Sequence, residues 1–241
     1  MKASRPGSRG TAAKAQRRAP AGAKAEQRVR DIVRVGREVF SERGYERATI
    51  TEIAQRLGVS EATVFTYFRG KRELCVRVIS DWYDEITAEI ADELPTRKPV
   101  RAQLEFFVRA HLRLFLGHGK GMCALVLSEG RDTGSADLGA AVLPLHRRYT
   151  APLMDLLARG QADGSVRSDV PLRLLRSLVL GPMEQMLWEA VSSTKPVDVD
   201  AAAGALSALL WAAMATPGSE LAALRALRGH VAQALDQAAQ L

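Results

Sequence analysis

At 241 residues, 47% hydrophobic and 25% charged, the chain is long enough for one moderate core or two small ones. Its net charge of +7 is a local property: residues 1–30 hold nine Lys or Arg against the single acid Glu26, and the rest is close to neutral. Two cysteines, Cys75 and Cys123, exclude a disulfide or metal framework, and residues 201–215, the longest apolar stretch, are interrupted by Gly204 and Ser207 and too short to cross a bilayer.

Residues 1–24 are rich in Ala, Gly, Ser, Pro and basic side chains and show no apolar periodicity, so a disordered basic arm is expected. The arm lacks the apolar centre of a secretory signal, which points to a cytoplasmic chain with no membrane contact. Residues 25–70 read as the first of two helical units. Its first helix is expected from about Ala25 to Arg43, with Val29, Ile32, Val33, Gly36, Val39 and Phe40 on the buried stripe. Gly44 ends it, and Tyr45 is placed to fold back on Phe40.

Thr49 and Glu52 form a capping-box pair, and Ile50, Ile53, Ala54 and Leu57 follow at i, i+3, i+4 and i+7. Gly58 stands where the chain must turn with positive φ, Val59 plugs the turn, and Ser60 caps a helix beginning Glu61-Ala62-Thr63. Val64 and Phe68 face inward, and small Ala54 allows a close crossing. A bland helical hairpin would share the apolar pattern. The added small residue, glycine, plug and two caps in register define a helix-turn-helix, whose second helix enters the major groove.

Residues 71–241 read as a second helical body, and no segment alternates with the period of a strand. A long helix from Lys71 carries Leu74, Cys75, Val78, Ile79, Trp82, Tyr83, Ile86 and Ile90 and stops before Pro95. Helices are then expected over 100–116, 122–129, 136–160 (kinked at Pro144 and Pro152), 172–192 (interrupted at Gly181-Pro182), 199–215 and 221–239. The fold class is all-α.

The residues Phe40, Gly44, Tyr45, Thr49, Ile53, Ala54, Gly58, Val59, Ser60, Thr63, Val64, Tyr67, Phe68, Lys71, Glu73 and Leu74 closely resemble the pattern of the TetR family of bacterial transcriptional regulators. The resemblance implies an N-terminal three-helix DNA-binding domain and a C-terminal ligand-binding and dimerisation domain. It implies a recognition helix from Ser60 to Tyr67, with Thr49, Thr63, Tyr67 and Lys71 on phosphates and Glu61, Ala62 and Thr66 toward base edges. Glu61 and Phe65 depart from the Lys or Arg and the Tyr of many members. Glu61 either accepts from cytosine N4 or is an acid favoured at a helix start, and Phe65 packs on sugar or a thymine methyl or fills core.

The resemblance further implies a homodimer on a palindromic double-stranded DNA operator and a small hydrophobic effector, with no cofactor. Phe107, His111, Phe115, Met122, Val126, Tyr149, Met183 and Met186 are expected to line the effector pocket, although for each of them plain core is the commoner role. Gly181, Leu187, Ala205, Leu209 and Trp211 are expected at the dimer interface. The four histidines fall on different elements, and no nucleophile elbow, Walker sequence or metal motif occurs, so catalysis is not expected. The role expected on this reading is a ligand-released repressor. An activator, or a dimeric protein-interaction module with weak or lost operator binding, is the alternative.

Overall fold

A computed structural model describes residues 22–117, 120–131, 136–195 and 197–218, together with positions 224, 227–229 and 231. The basic arm up to residue 21, and most of the expected last helix, lie outside the described residues. Among the described residues ten helices occur: α1 (Ala23–Arg47), α2 (Ile50–Leu57), α3 (Glu61–Tyr67), α4 (Lys71–Glu93), α5 (Val100–Gly117), α6 (Lys120–Arg131), α7 (Ala136–Tyr149), α8 (Ala151–Ala162), α9 (Leu172–Ser192) and α10 (Val199–Met214). The only pairing of extended backbone among them is an isolated bridge between Val166 and Ala215.

The helical periodicity becomes a single continuous core. Ile32, Val39 and Phe40 of α1 are fully buried, as are Ile53 of α2 and Val64 of α3. Each such side chain contributes about 1.5–3 kcal/mol on leaving water. The α1 segment breaks at Gly44 (φ 71°, ψ 170°), the expected stop. Tyr45 then returns to stack on Phe40 with ring centroids 6.3 Å apart. All eight apolar positions expected on α4 are buried, so this helix runs through the molecule with no solvent-facing apolar row.

Three sequence expectations need correction. Pro152 does not kink a long helix; it occupies the first turn of α8, where its missing N–H costs nothing, and Thr150 separates α7 from α8. Gly181-Pro182 does not interrupt α9, which is continuous from Leu172 to Ser192. Glu52 does not complete the capping box: its carboxylate is drawn to Arg56 at 2.7 Å and Arg43 at 3.4 Å. Arg56 also reaches Glu42 at 2.6 Å, fastening α2 to α1, and its hydrogen bond holds the Glu42 carboxyl below the usual carboxylate range.

α1 packs on α2, α4 and α6, α4 on α7, and α5 on α8, α9 and α10. Trp82 of α4 meets Phe115 of α5 edge-on at 4.8 Å. The first three helices therefore stand on a body that they touch through α4 and α6.

Candidate nucleic-acid interface and the cavity behind it

The two helices of the turn are closed at each junction by the residue types suited to it. Thr49 Oγ1 accepts from the Glu52 N–H at 3.1 Å and caps α2. Gly58 adopts φ 65°, ψ 33°, and its own N–H and that of Val59 satisfy the last carbonyls of α2. Ser60 Oγ accepts from the Thr63 N–H at 3.3 Å and lies 3.0 Å from the Thr63 hydroxyl. Val64 and Phe68 bury the inner side of α3.

The outer side of α3 presents Glu61, Ala62, Phe65 and Thr66 to solvent, with Thr63 and Tyr67 half-buried at its flanks. Phe65 is 39% exposed, too open for the core-filling role. The Thr66 hydroxyl donates to the Ala62 carbonyl at 3.0 Å, which leaves its lone pairs and methyl group for a partner. Glu61 Oε1 accepts from the Thr51 hydroxyl at 2.8 Å, so the carboxylate is steadied from α2. Sequence reasoning did not find Thr51; its only signal is a threonine in the first turn of a short helix, two residues after the cap. Lys71 donates to the Glu46 carbonyl at 3.0 Å and lies 4.6 Å from the centre of the Tyr45 ring, joining the start of α4 to the end of α1.

Behind this unit, α4, α5, α6, α7 and α9 enclose a cavity of about 330 Å³. Of the residues expected to line it, His111, Phe115 and Val126 do so. Phe107, Met122, Tyr149 and Met183 are instead buried in the surrounding core, and Met186 is half-buried outside the lining. Helical spacing finds the inward stripe but cannot separate a wall from the packing behind it. Tyr83, Leu127, Val142, Leu143, His146 and Glu184 complete much of the wall. So does Leu187, fully buried and hence committed to the subunit interior instead of a dimer face. Trp211 is likewise only 8% exposed, whereas Gly181, Ala205 and Leu209 are open to solvent.

Burial keeps the wall largely uncharged. It pushes His111 down to about 3, with nearby His146 adding to the effect, and it lowers His146, which also feels Arg176. The Tyr83 hydroxyl is raised by burial and by the Glu184 charge, and the Tyr149 hydroxyl by burial and by Tyr83. Among the described residues no group of His, Cys, Asp or Glu could hold a metal ion, and no helix is long and apolar enough to cross a membrane.

A doubly capped helix-turn-helix on an all-helical body is the arrangement of a DNA-binding regulator. The chain belongs to the TetR family: the model of bacterial regulatory proteins of the tetR family matches residues 32–78, and that of the YsiA-like protein C-terminal region matches residues 80–213, more than half of the chain. It is similar to the transcriptional activator FasR of Mycolicibacterium smegmatis, at 25% identity over 72% of this chain and 77% of the relative. It is also similar to the transcriptional repressor KstR2 of Rhodococcus jostii, at 20% identity over 78% and 91%. In fold it resembles the regulator FadR of Bacillus subtilis, solved in complex with stearoyl-CoA, with a TM-score of 0.69 and 19% identity over 75% of this chain and 96% of that one.

Proposed function

We propose that the chain is a ligand-released repressor that binds a palindromic operator as a homodimer, and that its effector is a fatty acyl-CoA or a kindred small hydrophobic molecule. The carrying observation is the course of α4: its first residue, Lys71, is fastened to the reading unit, and its Tyr83 lines the cavity twelve positions later. Filling the cavity thus bears on the helix that sets the position of α3. The acyl-CoA class draws on the stearoyl-CoA complex of FadR. On DNA, Thr49, Thr63, Tyr67 and Lys71 contact phosphates, Ser60 opens the recognition helix, and Glu61, Ala62 and Thr66 face base edges. Phe65 packs on sugar or a thymine methyl. The basic arm adds phosphate contacts. A dimer supplies the second reading head that a few base pairs of readout require.

Footprinting of the DNA flanking the chain's own gene, with and without stearoyl-CoA, tests this reading. A protected palindrome that is released by the thioester supports it. Sequence-blind, salt-sensitive binding would remove operator recognition and favour a protein partner. The activator FasR among the relatives carries a second reading, which a site upstream of a stimulated promoter would select.

A further inference from the structure

An apolar effector would leave one feature of the cavity unanswered. His111 lines the cavity and is 3% exposed. Its Nδ1 lies 2.8 Å from the Tyr149 hydroxyl, and its Nε2 has no hydrogen-bond partner. Its ring is held flat between Phe115, at 4.3 Å, and Phe107, at 6.3 Å. Tyr149 lies outside the lining, and Nε2 is the ring nitrogen on the side away from it.

Counting hydrogens chooses the tautomer. If Nδ1 carried the proton and donated to Tyr149, the tyrosine O–H hydrogen would lack an acceptor and Nε2 would lack a donor. If Tyr149 donates to Nδ1, only the Nε2 N–H is left bare. The second arrangement leaves one buried group unpaired instead of two, and each unpaired group carries the full desolvation penalty. The neutral imidazole therefore holds a single N–H without a partner in a mostly apolar wall.

We infer that His111 is the polar anchor of the effector site, donating from Nε2 to an uncharged oxygen of the ligand. The site then takes a hydrocarbon chain or ring bearing a ketone, hydroxyl or ester carbonyl in preference to the bare hydrocarbon. The oxygen is uncharged because an anion this deep would lose its hydration with a single donor to replace it. It belongs to the part of the ligand seated inside the cavity: His111, Tyr83 and Leu187 are almost wholly buried, whereas Leu143 at the rim is 48% exposed. The inference rests on the cavity being the effector site, as proposed above.

The test uses the full chain and a matched set of probes: a long-chain methyl ketone, the corresponding secondary alcohol, the alkane of equal length and a fatty acid. Calorimetry should show the ketone and alcohol binding at least about tenfold more tightly than the alkane, the discrimination expected when a buried donor is satisfied. With ¹⁵N-labelled histidine, the His111 Nε2 resonance should shift on adding the ketone and stay in place with the alkane. His111→Phe keeps the stacking and should reduce the ketone to the affinity of the alkane. The double variant His111→Phe/Tyr149→Phe removes the orphaned hydroxyl and should behave alike. Equal affinity for ketone and alkane, or a preference that survives in both variants, overturns the inference. Tightest binding of the fatty acid overturns the uncharged oxygen. Operator release by stearoyl-CoA with no oxygen preference overturns this inference alone, whereas failure of every probe and of stearoyl-CoA overturns the effector reading with it.

Discussion

Thr66 on α3 and Lys71 at the start of α4 do different work. The Lys71 ammonium has three hydrogens, and one is committed to the Glu46 carbonyl. The others remain for a phosphate, which carries affinity but no sequence information. Lys71→Gln retains a donor for Glu46 and removes the charge. Its affinity should fall alike on operator and scrambled DNA, with the salt slope flattened by about one unit; unchanged slopes in a titration against potassium chloride would take Lys71 off the backbone. Thr66 has its hydroxyl hydrogen turned back to Ala62, so on the proposed docking it would meet a base as an acceptor or through its methyl. Thr66→Val should keep the methyl contact and shift base preference at one operator position. A selection from randomised half-sites reads this directly, and an unchanged preference would count against base readout by Thr66. Glu61 illustrates what a sequence withholds. Its place at the helix start is visible along the chain, but the Thr51 hydroxyl that steadies it comes from a separate helix, and such pairs appear only when α2 and α3 cross.

Among the elements, the caps and stops were legible because each is a local event. Thr49, Gly58 and Ser60 act within four residues of themselves, and the spacing of α4 reports a helix buried along its length. The errors arose where tertiary surroundings decide. Pro182 lies within a continuous α9 beside Gly181 and Leu178, both exposed, where water can hydrate the carbonyl that loses its N–H partner. The cavity wall was half legible for the same reason: Tyr83 and Phe107 look alike in sequence, and only the approach of α7 and α9 distinguishes them. The junction of α6 with α1 was not legible at all. Gly121 sits so close to Ser41 that a Cβ there would collide with the Ser41 backbone carbonyl. Val126 and Leu127 of the same helix line the cavity, so α6 is a second link between the cavity and the reading unit. Gly121→Val should push α6 away from α1, lowering operator affinity and weakening the effect of an effector on what binding remains. Circular dichroism should still report a folded helical protein, with a lower melting temperature. Wild-type operator affinity in the variant would show that this contact does not set the position of α1.

For the molecule as a whole, buried neutral histidines set the response to acid. His111 titrates near its ordinary 6.5 in the unfolded chain and is pushed down to about 3 in the fold. Above 6.5 neither state takes the proton, and between 6.5 and about 3 only the unfolded state does. Stability is therefore full above the unfolded value and falls as pH drops, by about 2 kcal/mol at about pH 5 from this residue. His146 is lowered as well and acts in the same direction. Urea titrations across this range should show the slope, and His111→Phe should flatten it; an unaltered slope would mean that His111 is not the group responsible. The opposite face of the molecule bears on assembly. Leu209 of α10 is 70% exposed, and on α9 Leu174 is 58% and Leu178 37% exposed. A Cβ built on Gly181 meets nothing within 4 Å, so that stretch of α9 has room for a partner's backbone. Apolar side chains this open, on helices that each bury their other side in the core, are suited to a second copy. At about 1.5–3 kcal/mol for each leucine, doubled by two-fold symmetry, their burial is comparable with the roughly 4–15 kcal/mol lost on association. Leu209→Glu and Leu178→Glu should yield folded monomers by sedimentation. Operator affinity should collapse toward the nonspecific level, because one reading head cannot span two half-sites about 34 Å apart. If both variants remain dimers, the interface lies on another face, and the apolar row of α9 and α10 must serve a different partner.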